Sequence, residues 1–194
     1  MLHRRALAAL ALVAPACARR TNQMALRRWR GGAADAWLAP GTPVLTLEAA
    51  DAMASAALAE AAARNFKDIS VFVVDPTGRV LVSKTMLGCP RLIPHMARAK
   101  AGAAVGTHSS SRGLKEKYLP DRSAQLIAMT TLSGNSNLPF VAVPGGVLCR
   151  DAANNVVGAI GVSGAAADED EHCAIAGARD VGLACEPSTS ALDS

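Results

Sequence analysis

Residues 140–164 read FVAVPGGVLCRDAANNVVGAIGVSG, and the fold turns on how this stretch is divided. Apolar, β-branched runs at Phe140 to Val143, Val147 to Arg150 and Val156 to Val162 have the length and composition of strands. Between them lie Pro144-Gly145-Gly146 and the polar segment Asp151 to Asn155, both rich in residues that reverse a chain. Connections this short join antiparallel neighbours, because a parallel pair needs a crossover of about a dozen residues or more. The stretch therefore predicts a run of antiparallel strands.

Upstream, Ile69 to Val74 is another β-branched and aromatic run. Asp75-Pro76-Thr77-Gly78 supplies turn chemistry, and alternation resumes from Arg79 to Lys84, which makes a hairpin. Before it, Leu45-Thr46-Leu47-Glu48 opens a helix ending near Asn65. Thr46 is its N-cap, and Leu47, Ala50, Ala54, Ala57, Leu58 and Ala61 recur at helical spacing. A second helix starts between Pro90 and Pro94, where proline is tolerated in a first turn, and runs to about Gly106. His108 to Arg112 and Ser133 to Asn137 read as loops, while Ser123 to Leu132 reads equally as helix or irregular chain. A last helix begins at Asp168, with Glu171 as capping-box partner, and reaches about Gly182. Strands in groups, with helices between the groups, predict an α+β domain: about five antiparallel strands with packed helices, rather than a doubly wound sheet.

The composition agrees with one domain. The chain has 194 residues, 51% of them hydrophobic, but only three Phe, one Tyr and two Trp, so the core is expected to be Ala, Val, Leu and Ile. Of the formal charge of +4, seven Arg fall within residues 1–34, which contain no acid, and this leaves −3 for the rest. A mildly acidic domain poor in aromatics lacks the basic face and stacking platforms of a nucleic-acid binder. The five cysteines form no CxxC pair and indicate neither a disulfide framework nor a structural zinc site; they read as small buried apolar residues.

The Arg-rich start has the character of a targeting peptide with a linker, residues 1–38. Basic residues at Arg19, Arg20, Arg27, Arg28 and Arg30 favour a mitochondrial transit peptide. The alternative is a secretory signal, leading to a secreted or periplasmic protein, with Ala6 to Ala14 as its apolar run and Ala16-Cys17-Ala18 at the cleavage site. That run is too short to be a transmembrane segment. The domain proper is expected at 44–186, with 187–194 a polar tail.

Five landmarks occur in a telling order: Leu45-Thr46-Leu47-Glu48-Ala49-Ala50, Val73-Val74-Asp75-Pro76-Thr77-Gly78, Ala97-Arg98-Ala99-Lys100-Ala101, Val143-Pro144-Gly145-Gly146-Val147 and Val157-Gly158-Ala159-Ile160-Gly161-Val162-Ser163-Gly164. In these the domain resembles the GlcG/HbpS family, which also includes the C-terminal domain of PduO-type corrinoid adenosyltransferases. The resemblance implies a profilin-like fold that assembles into a homo-oligomer, and members that bind haem or degrade it. Two family features are missing. PduO-like haem binders use a His in the first helix, and HbpS has an acidic ExxE iron site there. This chain has no His between Thr46 and Asn65, and only Glu48 and Asp51 approximate the acids. The haem ligand is thus not transferable by position.

Haem requires an axial donor, an apolar slot and usually a cation for its propionates. His95 is the first candidate, with Ala99 and Gly102 leaving room for a planar ring and Arg98 and Lys100 offering charge. Cys89-Pro90 resembles the Cys-Pro signature of regulatory haem sites and makes Cys89 the rival ligand. His108 reads as an ordinary loop residue. Asp168-Glu169-Asp170-Glu171-His172 looks like a metal cluster, but consecutive helical residues diverge, and acids suit the positive end of a helix. The expectation is a haem or tetrapyrrole binder, with oxidative haem breakdown as a further step. The alternatives are a non-catalytic oligomeric or partner-binding module and a corrinoid-handling accessory.

Overall fold

Strand composition and turn chemistry build one antiparallel sheet in the computed structural model, which describes residues 43–134 and 138–193. The basic segment and its targeting expectations lie outside them. Strand β1 is Ser70–Val74, β2 Val80–Thr85, β3 Gly146–Arg150, β4 Val156–Ser163 and β5 Ala184–Glu186; the spatial order is β2-β1-β4-β3-β5. The central pair aligns Ser70 with Ser163 and Val74 with Ala159.

Both hairpins are closed by aspartates that take over backbone donors. Asp75 Oδ1 accepts from the Thr77 amide at 2.8 Å and the Arg79 amide at 3.1 Å, while Gly78 turns the chain at φ +83°. Asp151 does the same work between β3 and β4, accepting from the Asn155 amide at 2.7 Å and side chain at 2.9 Å.

Helix α1 (Leu47–Ala63) begins where the sequence places it, with Thr46 Oγ1 accepting from the Ala49 amide at 3.2 Å. It and α5 (Ala167–Asp180) cover one face of the sheet. There Met53, Ala57 and Ile175 pack on Val71, Val73, Val147 and Ile160. Leu47, expected on the buried face, is 60% exposed, and Met53 is buried in its stead. Helix α2 (Ile93–Thr107) lies on the opposite face against Val74, Leu148 and Ala159. Its approach is close enough that glycine is required beneath it. A Cβ on Gly161 would strike the Ala97 carbonyl, and one on Gly146 the Lys100 carbonyl. These landmark glycines are therefore architectural.

Three expectations are corrected. Phe140 to Val143 is not a strand: Pro144 has no N–H for a ladder, and pairing with β4 starts only where Gly145 O accepts from Val162 N at 2.8 Å. The fifth strand is instead β5, whose three residues are too few to show a period. The loop expected through Arg112 gives way to helix α3 (Ser111–Tyr118), capped by Ser110 Oγ, and Ser123–Gly134 is helix α4. Helix α5 starts one residue early, and Glu169, not Glu171, reaches back to the Ala166 amide at 2.9 Å.

Candidate functional site

Helix α2 carries a single lysine among alanines and glycines, and it points inward. Lys100 is 1% exposed; its Nζ donates to Asp170 Oδ2 at 2.7 Å and to the Val162 carbonyl at 2.9 Å. Asp170 Oδ1 accepts from the Ala165 amide at 3.0 Å, so the pair is bonded on both sides. Burial lowers the Lys100 pKa and raises that of Asp170, and each charge opposes the shift of the other. The lysine expected to offer charge to a bound ring is thus committed to tying α2 to the start of α5.

Beside this pair, Arg112 of α3 bridges Asp168 and Glu171, with Nε to Glu171 Oε2 at 2.7 Å. Glu171 is fully buried, its pKa is raised by that burial against the pull of Arg112, and its Oε1 has no partner. The acidic run is therefore only in part a solvated cap: Glu169 caps the helix, and Asp168 is half-exposed. Asp170 and Glu171 face inward, and His172 Nε2 meets Glu60 Oε1 of α1 at 2.8 Å. Among the described residues, no group of His, Cys, Asp and Glu has the arrangement of a metal site.

The other candidates stand apart from this seam. His95 and Arg98 are exposed, one turn apart at the start of α2. Cys89 is half-buried in the preceding turn, where burial and the charges of Asp68 and Asp170 raise its thiol pKa. At Gly102 only the direction a Cβ would take is closed, since a Cβ built there would lie 2.5 Å from the Pro139 carbonyl of the segment that replaced the expected strand.

That same segment helps form a cleft of about 320 Å³ lined by Gly102, Gly106 and Thr107 of α2, Met129, Leu132 and Ser133 of α4, and Leu138 and Phe140. Phe140 stands edge-on to Tyr118 with ring centroids 6.5 Å apart, over Ala103 and Leu114. The lining is almost wholly apolar, and Met129 brings the one soft iron donor into it. None of His95, Arg98, Lys100 and Cys89 reaches the cleft. Sequence reasoning missed Met129 because α4 has no buried residue and hence no readable face. The seam left a fainter signal, a lone lysine in an Ala-Gly run.

Comparisons with known proteins bear on the fold and the family. HbpS is 32% identical over 73% of this chain and 92% of its own, with a TM-score of 0.62. A doubly substituted Streptomyces reticuli HbpS is 30% identical over 90% of this chain and 99% of its own, also at 0.62. The PduOC–haem complex shares the fold at 20% identity, covering 72% of this chain and 96% of its own at 0.62. No curated protein sequence matches significantly. The family model described as haem degrading protein HbpS-like matches residues 45–179, and the chain belongs to that family.

Proposed function

We propose that this protein binds haem or a closely related tetrapyrrole, with the ring entering the cleft between α2 and α4. The observation that carries the reading is the apolar lining of that cleft, in a chain whose family is one of haem proteins. At about 320 Å³ it is at the small end of ligand sites, suited to a flat group inserted by one edge. Met129 would hold the iron, Phe140 and Leu138 would pack on the ring, and propionates would face the mouth, where exposed His108 follows Thr107. His95 with Arg98 is the alternative surface seat and Cys89 its rival donor.

Bound iron supplies activation of dioxygen or peroxide, and oxidative ring breakdown is the finer step that this binding would support. The protein's own part is to exclude water from one ring face and fix the ring's orientation. Haemin titration of the purified chain tests the proposal. A saturable Soret shift at micromolar haemin is expected, and its absence would remove the reading. Cobalamin binding without haemin binding would favour the corrinoid alternative instead.

A second reading has its own observation. Helix α4 exposes Ile127 at 68% and Leu132 at 65%, which suits a helix buried against another copy in a homo-oligomer or against a partner. Light scattering distinguishes this, since a monomer at micromolar concentration would count against self-association.

A further inference from the structure

Cysteines separated widely in sequence meet across the β3–β5 ladder. Cys149 is paired in register with Cys185, between Leu148 with Glu186 and Arg150 with Ala184. Directly opposed residues of an antiparallel pair project from the same face with Cα atoms about 4.5–5.5 Å apart, within the span a disulfide bridges. Both thiols are free: Cys149 is fully buried, and Cys185 is half-buried on the edge strand. We propose that Cys149 and Cys185 form a redox site that a small hydroperoxide converts to a cross-strand disulfide.

The chemistry assigns different parts to the two sulfurs. Cys185 is the accessible one, so its thiolate attacks the peroxide; an S–O bond forms, the O–O bond breaks, and the alcohol or water fragment leaves with a proton. The sulfur of Cys149 then displaces the hydroxyl of that sulfenic acid. An S–S bond forms, the S–O bond breaks, and the thiol proton leaves with hydroxide as water. Two thiols are oxidised by two electrons, and one peroxide is reduced.

Burial raises the Cys185 thiol pKa overall, and the positive charge of Arg179 opposes it, which suits Arg179 to assist by favouring the thiolate. Oxidation should therefore quicken with pH, about tenfold per unit while the thiol is mostly protonated. Among the described residues the other two cysteines have no such opposite number: Cys173 is buried in the α1/α5 core and Cys89 lies in a turn. A bridge would fasten the short edge strand to the sheet. With it would be fastened Glu186, whose Oε1 accepts from the Ser110 amide at 3.1 Å at the start of α3.

The test is peptide mapping of the full reduced chain after one equivalent of hydrogen peroxide and rapid alkylation. The expected product links the Cys149 and Cys185 peptides, is reversed by dithiothreitol, and melts on the order of 5–10 °C higher than the reduced protein. Cys185→Ser should abolish the link and leave Cys149 open to alkylation on unfolding. Cys149→Ala should leave a sulfenic acid at Cys185 that dimedone traps. Should Cys149→Ala fail to fold, the wild-type map and Cys185→Ser decide by themselves. A wild-type map showing no oxidation, higher acids at Cys185 with Cys149 still reduced, or links to Cys17, Cys89 or Cys173 in place of the Cys149–Cys185 link would overturn the proposal.

Discussion

The two faces of the sheet are built on different principles. Under α1 and α5 the packing is continuous and apolar, with Met53, Ile69, Ile160 and Ile175 closing a core in which nearly every contact is between hydrocarbons. Over α2 the apolar cluster is small, the backbone comes close through glycine, and a buried lysine and a half-buried arginine hold α2 and α3 to the acids of α5. Beyond that seam lies a cleft, and then a helix with no buried residue. A hydrocarbon core tolerates imprecision because its attraction has no direction, whereas an ionic seam fixes geometry and penalises any missing partner. The first face specifies that the chain folds, and the second specifies where a ligand-sized space is left.

The difference is broken most severely at the seam. Asp170→Ala leaves the Lys100 ammonium buried without its partner and should cost about 3–5 kcal/mol in urea unfolding. Replacing both groups, as Lys100→Met with Asp170→Leu, should recover most of that loss, because an apolar pair removes the unpaired charge. If Asp170→Ala unfolds no more easily than wild type, the seam is not what holds α2 to α5.

On the hydrocarbon face, Met53→Ala should cost about 2–5 kcal/mol by leaving a cavity between α1 and the sheet. The signature differs from that of the seam: no second substitution elsewhere should restore the loss, while a Met53→Leu change should cost far less. Chemical denaturation of the two variants side by side checks it.

What the sequence made legible divides along the same line. The first helix was readable because its apolar residues recur at helical spacing, and the β1–β2 hairpin and strands β3 and β4 because β-branched runs are bounded by turn residues. The helix cap at Thr46 and the turns at Asp75 and Asp151 were readable because local chemistry fixes them. The α2–α4 side was not. Lys100 reads as a cation free to meet a ligand because a lysine in a helix is usually exposed, and only Asp170, 70 residues away, explains its burial. Segment 138–145 has strand composition but packs over Gly102 and Gly106, a tertiary choice that periodicity does not report. The family resemblance identified the fold, yet its ligand residues were missing from the first helix.

A third prediction concerns the turn that seats Gly78 against Leu138 at the cleft's edge. Burial would raise the Asp75 pKa, but bonds from Thr77 and Arg79 outweigh it and hold the carboxyl below its ordinary 3.8. For an acid with a lowered native pKa, the stabilisation is present above the unfolded value and is lost as pH falls through the native one. Asp75→Ala should therefore cost about 1–3 kcal/mol at neutral pH, and the gap to wild type should narrow below pH 3.8. Denaturation midpoints measured from neutral pH into acid test this; a gap that widens in acid would contradict it.

The smallest effect on stability should come from α4, and it is the most informative about ligand binding. Leu132 is 65% exposed and Met129 packs only partly against the Tyr118 cluster, so Leu132→Ser and Met129→Ala should each change unfolding free energy by about 0.5 kcal/mol or less. Haemin binding should respond quite differently. If the cleft holds the ring, Met129→Ala should weaken binding and blue-shift or broaden the Soret band, and Leu132→Ser should weaken binding without changing the band's position. His95→Ala should then do little, because its imidazole stands on the outer turn of α2, away from the cleft lining. The reverse pattern would move the seat to the exposed His95–Arg98 turn, and a response only to Cys89→Ser would assign the iron to the thiolate. His172→Ala is the control: its imidazole lies between Glu60 and Asp193 on the α1/α5 side, so it should disturb folding before it disturbs haem.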